Sequence, residues 1–283
     1  MNNQKKDIAE GFSKSSDFWQ RIYTSDKDGI SNFYRLDMID RKTAVFDLLE
    51  KYMRHGPHQI LDVGCGPGVF LEEAAARGHL AVGIDISESM VRKAEKMLHQ
   101  RDLSAAFVLQ GDVENLPFRD NIFDAVLCIG VTSYLPRDSD ALLEIKRIVK
   151  EDGIVIMGLP NQLKLAVVLD PYYYFHGIRF LKKRRDRDRK NERSSLSIEN
   201  YRRYVFWRFR RLFSPFNLRI LETVSIGFGP LTFWLKEVIR ETWSLMIRHS
   251  LTKLAARGVL PIKTFANHWV ICLKKNAIRP RWF

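Results

Sequence analysis

From residue 43 onward the chain alternates between two hydrophobic periods. In "TAVFDLLEKYMR" (43–54), Val45, Phe46, Leu48, Leu49 and Met53 recur at helical spacing, which predicts a helix with one buried face. The next apolar stretch, "QILDVG", is short and closed by a glycine, as a buried strand would be. The exchange then repeats. "VFLEEAAARG" reads as a helix stopped by Gly78, "LAVGIDIS" as a strand, "ESMVRKAEKMLHQR" as a helix with Ser87 at its N-cap, and "AAFVLQGD" as a third strand. "FDAVLCIG", "DALLEIKRIVKEDG" and "GIVIMGLP" continue it as strand, helix and strand. Such alternation predicts an α/β fold whose parallel sheet is covered on both faces.

Composition changes this picture in one respect. With 46% hydrophobic and 28% charged residues among 283, the chain reads as globular. Its net charge of +13 is unevenly placed: residues 1–160 hold 20 basic and 25 acidic residues, the remainder 26 basic and 8 acidic. That asymmetry points to an anionic partner, whether nucleic acid, membrane surface or acidic substrate. Cys65, Cys128 and Cys272 are widely spaced with no CxxC pair, so neither a disulfide framework nor a metal site is expected. The N-terminal "MNNQKKDIAEGFSKSSDFW" lacks the apolar core of a signal peptide. No uncharged apolar run reaches the roughly 18 residues of a spanning helix, so a cytoplasmic protein is expected.

Candidate chemistry begins at "ILDVGCGPGVF" (60–70), where Gly64, Gly66 and Gly68 follow the first predicted strand. In an open α/β sheet, ligands bind beyond the carboxyl ends of the strands, at this turn into the first helix. The run is not the dinucleotide pattern G-x-G-x-x-G, because Val69 stands where the last glycine belongs, and it lacks the GK[ST] of a P-loop. Asp85 ends the second strand, at the height where a carboxylate accepts hydrogen bonds from ribose hydroxyls. Asp112 ends the third, where a carboxylate can accept from an adenine amino group. "FDAVLCIG" brings a fourth strand end to the same rim.

Taken in order, "DVGCGPG", "GIDIS", "GDVENLPF" and "FDAVLCIG" resemble the class I S-adenosylmethionine-dependent methyltransferases, most of all the branch acting on quinones, sugars, lipids and other small molecules. The resemblance spans residues 43–160. It implies a Rossmann-like, seven-stranded, mostly parallel sheet that ends in an antiparallel hairpin, for which "NLRILETVSIG" (217–227) and "NHWVICLKK" (267–275) are the candidates. It also implies roles in holding S-adenosylmethionine. Asp62 and the backbone of Gly64, Cys65, Gly66 and Gly68 would face the methionine moiety, and Asp85 would hold the ribose. Ile86 would pack on adenine, Asp112 and Val113 would read its edge, and Ile129 and Gly130 would flank the reacting sulfonium.

The expected organisation is an N-terminal helical lid (1–42), the cofactor-binding core (43–160), a basic aromatic insertion serving as a cap (161–216), and the final hairpin (217–283) with a helical insertion at 228–266. In the lid, "DFWQRIY" puts Phe18, Trp19, Ile22 and Tyr23 on one helical face. Helical spacing also joins Tyr204, Trp207, Arg208 and Arg211, then Phe206, Phe209, Arg210 and Phe213, and then Ile239, Trp243, Met246 and Ile247. These stripes suit a cap packed on the core, a face for an anionic membrane, or an RNA surface. "CIGVTSYLP" lacks the Asn/Asp-Pro-Pro-aromatic signature of adenine-N6 enzymes and the Pro-Cys pair of cytosine-C5 enzymes. A small, hydrophobic or membrane-associated acceptor therefore ranks first, with peripheral attachment at the inner face of a membrane. RNA ranks second, and a cofactor-binding subunit without catalysis is the remaining class. Thr132, Ser133 and Tyr134 would stand at the acceptor side. The resemblance leads one to look there for a histidine base; none is present, so Tyr134 is taken to orient the acceptor and His176 to act as base.

Overall fold

The computed structural model describes residues 3–24, 32–135, 137–173, 175 and 202–276. Two short helices, α1 (Asn3–Lys14) and α2 (Ser16–Thr24), precede α3 (Asn32–Tyr52). Then follow β1 (Gln59–Val63), α4 (Val69–Ala76), β2 (Leu80–Asp85), α5 (Glu88–Gln100), β3 (Ala106–Gln110), β4 (Phe123–Ile129), α6 (Asp138–Ile148), β5 (Val149–Pro160) and α7 (Leu165–Leu169). The remainder comprises α8 (Phe209–Phe213), β6 (Leu218–Ile226), a hairpin of β7 (Thr232–Phe233) and β8 (Lys236–Glu237), α9 (Glu241–Ala256), α10 (Leu260–Thr264) and β9 (His268–Lys275).

The main sheet has seven strands in the order β3-β2-β1-β4-β5-β9-β6. The first five are mutually parallel, and β9 runs antiparallel to both β5 and β6. The predicted last two strands, 217–227 and 267–275, are β6 and β9. Side chains alternate between two cores, as strand geometry requires. Val126 and Cys128 of β4 join Val155, Met157, Trp269 and Ile271 on one face, under Leu142 and Ile145 of α6. Ala125 and Leu127 join Ile154, Ile156 and Val270 on the other, under Phe46 and Leu49 of α3 and Leu71 of α4.

Several expectations need correction. The helix read from residue 43 starts at Asn32, so the boundary drawn at 42/43 falls inside α3. The helix read as 140–153 ends at Ile148, because Val149 already pairs with Phe123 in the sheet. The stripe at 204–213 is not one helix. Tyr204 makes an extended bridge to Asn161, Phe206–Arg208 is a 3₁₀ turn, and only Phe209–Phe213 is α-helical. Phe209 and Phe213 reach the core while Trp207 stays 63% exposed. In α9 the expected apolar face is reversed: Trp243 and Met246 are exposed, while Ser244 and Arg248 are buried. An ion pair that needs Arg248 inside turns this helix away from its hydrophobic period.

Candidate functional site

The carboxyl ends of β1, β2, β3 and β4 open into a cavity of about 690 Å³, closed from above by α1, α2 and α3. The turn after β1 forms its floor. Gly64 and Cys65 donate backbone hydrogen bonds to the Ile84 carbonyl (2.7 and 3.1 Å), and Gly66 N–H donates to Asp85 Oδ2 (2.9 Å). Gly66 has φ +54° and a Cβ there would point into open space, so its backbone faces the cavity bare. At Gly64 (φ +68°) a Cβ would lie 2.4 Å from Val131 Cγ2, so the two rims meet only because that side chain is missing. Gly68 is not on the cavity wall, contrary to expectation. It caps α4 at its N-terminus and lets α5 pack close by, with Ala94 Cβ 3.0 Å from where its own Cβ would be.

Two carboxylates sit on this floor. Asp62 is 2% exposed and lines the cavity, and its Oδ2 has no hydrogen-bond partner among the described residues. Burial and then the charge of Asp85 raise its pKa well above the ordinary carboxylate range. An orphaned buried oxygen of this kind is costly and is relieved by a donor from a ligand. Asp85 accepts from Gly66 N–H and, through Oδ1, from Ser87 N–H (2.8 Å). Each oxygen keeps a further lone pair for a ligand hydroxyl. Burial raises the Asp85 pKa, and these amide bonds oppose that. Ser87 caps α5 as read, its hydroxyl accepting from Met90 N–H at 3.4 Å.

Ile86, Val113, Ile129 and Gly130 all line the cavity, as do Gly64, Cys65 and Gly66. Asp112 lies at its edge, where Oδ1 accepts from Glu114 N–H (3.0 Å) and Oδ2 is ion-paired with Lys5 of α1. Lys5 also pairs with Glu114. Burial works against the Lys5 charge and the two carboxylates outweigh it, so its pKa is raised. Ser13 and Ser87 (3.0 Å between hydroxyls) fasten α1 to the head of α5. Phe12 and Trp19 line the cavity, and Phe12 meets Tyr134 edge-on at 4.9 Å. Phe18 also reaches the cavity wall, while Ile22 is fully buried. Thr132 is buried but not on the wall; Ser133 and Tyr134 are on it. His176, the side chain of Tyr23 and that of Arg210 lie outside the described residues.

The far end of the cavity is built by residues that sequence reasoning missed. Arg41 of α3 lies over Gly130, with Nη1 3.7 Å from where a Cβ would stand. Asp37, one turn earlier, is 3% exposed and ion-paired with Arg248 of α9, which also reaches Asp40 at 2.5 Å. Asn267 donates to Asp37 Oδ2 (2.8 Å) and to the Gly229 carbonyl (2.7 Å), leaving its buried Oδ1 without a partner among the described residues. Gly227 must be glycine here, since a Cβ would meet Asp37 Oδ1 at 2.0 Å. Lys164 and His268 complete the wall. Burial and then Arg203 lower the Lys164 pKa, which Asp37 partly restores. Burial, followed by the positive charges of Arg41, Lys164, Arg203 and Arg248, pushes His268 down to about 3, so its imidazole is neutral. The one available signal was that "NH" opens the last strand at the same rim; nothing in sequence links it to Arg41. Among the described residues no group of three or more metal-ligating side chains occurs, and no helix is long and apolar enough to cross a membrane.

Comparison with known proteins bears on the fold and family. Residues 61–157 match a family described as "Methyltransferase domain". Ubiquinone biosynthesis O-methyltransferase of Rickettsia akari is 29% identical over 167 residues, covering 58% of this chain and 63% of that protein. The protein of the same description from Coxiella burnetii is 25% identical over 162 residues, 57% of this chain and 64% of that one. The chain thus spans somewhat under two thirds of these relatives' length. Among solved structures, magnesium protoporphyrin IX methyltransferase of Synechocystis PCC 6803 with bound SAH aligns over 96% of this chain and 99% of that one. Its TM-score is 0.65 at 16% identity. The [4+2]-cyclase SpnF shares the fold at TM-score 0.60 and 16% identity, covering 95% of each chain.

Proposed function

We propose that the chain is a class I S-adenosylmethionine-dependent methyltransferase that transfers a methyl group to a small acceptor with an apolar body, in the manner of the quinone O-methyltransferases it resembles. The observation that carries this reading is the single cavity whose lining joins Asp62, Gly66 and Asp85 to Phe12, Trp19, Phe33, Tyr134 and Leu235. Its volume falls in the upper part of the range of about 300–1,000 Å³ usual for small-ligand sites, enough for a cofactor beside an acceptor.

The residues present suit the cofactor. The unpartnered Oδ2 of Asp62 is placed to accept from an ammonium group, and binding such a cation returns the raised Asp62 pKa towards the charged form. The spare lone pairs of Asp85 suit ribose hydroxyls, and the Arg41 guanidinium beside Gly130 suits a carboxylate. When bound, S-adenosylmethionine supplies an electrophilic methyl carbon on its sulfonium. The chain's part is to orient the acceptor and exclude water. Tyr134 and Ser133 line the acceptor side, and α1 and α2 cover the cavity. His268 stands on the cavity wall as an imidazole that burial and nearby cations hold neutral, which makes it a poor base; the base proposed at His176 lies outside the described residues.

The exposed aromatic hairpin supports a peripheral membrane role. Phe233, Trp234, Leu235, Val238, Trp243 and Met246 are 46–60% exposed, and Thr232, Leu235 and Glu237 line the cavity mouth. An acceptor drawn from a lipid surface would enter past these side chains. Calorimetry with SAH, followed by transfer of labelled methyl from S-adenosylmethionine to a lipid extract or to catechol-type quinone precursors, tests the reading. No SAH binding, or cofactor turnover without label in any organic-phase product, overturns it.

A further inference from the structure

We infer that Asn267 selects the acceptor: its side-chain carbonyl oxygen, Oδ1, takes a hydrogen bond from an uncharged hydroxyl on that molecule, and a group with no proton to give is refused there. This rests on the methyl-transfer reading above and names a residue that reads the acceptor.

The fixed orientation of one amide carries it. Both hydrogens of Asn267 Nδ2 are donated, to Asp37 Oδ2 (2.8 Å) and to the Gly229 carbonyl (2.7 Å). Turning the amide over would set its oxygen against those same two oxygens, so Oδ1 stays an acceptor. The main chain is held as firmly. Asn267 N–H donates to the Gly227 carbonyl (2.8 Å), and the Asn267 carbonyl accepts from Asn161 N–H (2.9 Å). Asn267 is 8% exposed and lines the cavity, and its Oδ1 has no hydrogen-bond partner among the described residues. An oxygen buried in this way is costly until a donor reaches it.

The surroundings keep this amide in place. Asp37 is itself fixed by Arg248, the ion pair that turns α9 against its hydrophobic period. Gly227 leaves room for the Asp37 carboxylate, which a Cβ would meet at 2.0 Å. Residues of α3, of α9 and of the turn into β9 thus converge on one carboxamide whose free atom is an acceptor. Ser133 Oγ lines the same cavity and also lacks a partner among the described residues, but a hydroxyl rotates to give or to take a hydrogen bond and so does not discriminate. Asn267 Oδ1 does. A phenol or alcohol satisfies it, whereas an ether or a carboxylate would face it lone pair to lone pair.

Calorimetry on the SAH-loaded protein with two probes of similar shape tests this: 4-methylcatechol, and 3,4-difluorotoluene, which has no donor. The catechol is expected to bind about tenfold or more tighter. Asn267→Ala should shrink that difference to about threefold or less, with SAH affinity within about threefold of the parent. Should Asn267→Ala fail to fold, the parent still decides: saturation with 4-methylcatechol, and not with the difluoro probe, should shift the NMR signals of the Asn267 side-chain amide. Equal binding of the two probes, no binding of 4-methylcatechol, or a preference undiminished in Asn267→Ala overturns the inference. So does an amide signal that 4-methylcatechol leaves in place, the result expected if a buried water alone satisfies Oδ1. No SAH binding by the parent would instead overturn the methyl-transfer reading.

Discussion

Lys5 of α1 is ion-paired with Asp112, the carboxylate at the end of the third strand that is proposed to read the adenine edge. The N-terminal helix therefore holds the place a nucleobase would compete for. Replacing Lys5 with methionine frees Asp112 Oδ2 while keeping the aliphatic stem. Because the pair is only partly buried, it contributes about 1 kcal/mol or less, so SAH should bind up to about fivefold tighter to Lys5→Met. Calorimetry at low and high salt checks this, and the parent should approach the variant as salt rises.

Asp85 is proposed to hold the cofactor ribose, and it also anchors Gly66 and Ser87 through their amides. Asp85→Ala should weaken SAH binding by about 2–4 kcal/mol, roughly 30- to 1,000-fold, and lower the melting temperature as well. Asp85→Asn retains one acceptor oxygen and should fall between the two in both measurements.

Trp19 of α2 and Tyr134, in the turn after β4, both line the cavity, with Phe12 between them. Trp19→Ala and Tyr134→Phe should lower turnover while SAH affinity stays within about threefold, the pattern of a lost acceptor-side contact. Normal kcat with the true acceptor in both variants would remove this rim from the active site.

His268 gives the fold a defined acid sensitivity. In the unfolded chain a histidine takes up a proton below about 6.5, whereas the folded protein holds His268 neutral down to about 3. The stability this residue lends is thus complete above pH 6.5 and declines as pH falls towards 3, by up to about 1.4 kcal/mol per pH unit. Denaturant unfolding of the parent and of His268→Gln between pH 7 and 4 should show a shallower slope in the variant. Lys164→Met, which removes a neighbouring cation, should raise the His268 pKa measured by NMR.

If the hairpin at 232–237 meets a lipid surface, the protein should co-sediment with anionic vesicles and be released by salt, since charges are screened within about 8 Å at physiological ionic strength. Trp234→Ser with Trp243→Ser should reduce binding at all salt concentrations. Equal binding to neutral and anionic vesicles, or none to either, would exclude it.

What the sequence determined by itself was the sheet and the cavity end proposed to hold the cofactor. Both rest on short-range signals. Apolar runs of strand length mark β1 to β5, and the turns after β1, β2 and β4 follow directly on strand ends, so the resemblance led to Asp62, Gly66, Asp85 and Gly130, which line one cavity in the structure. Even there a spacing rule overreached at Gly68, whose bareness serves the packing of α4 on α5. The opposite end, around Asp37 and Asn267, was decided only by the tertiary structure. Asp37 and Arg248 are 211 residues apart in sequence, and Asp37 and Asn267 are 230 apart. No period or motif spans such distances. Pairing Arg248 with Asp37 also requires burying a charged face of α9, so the helix turns Trp243 and Met246 outward against its hydrophobic pattern. Local periodicity records which residues prefer to be buried; which charges must meet is settled when the last strand, β9, slots between β5 and β6 and carries Asn267 and His268 to the rim.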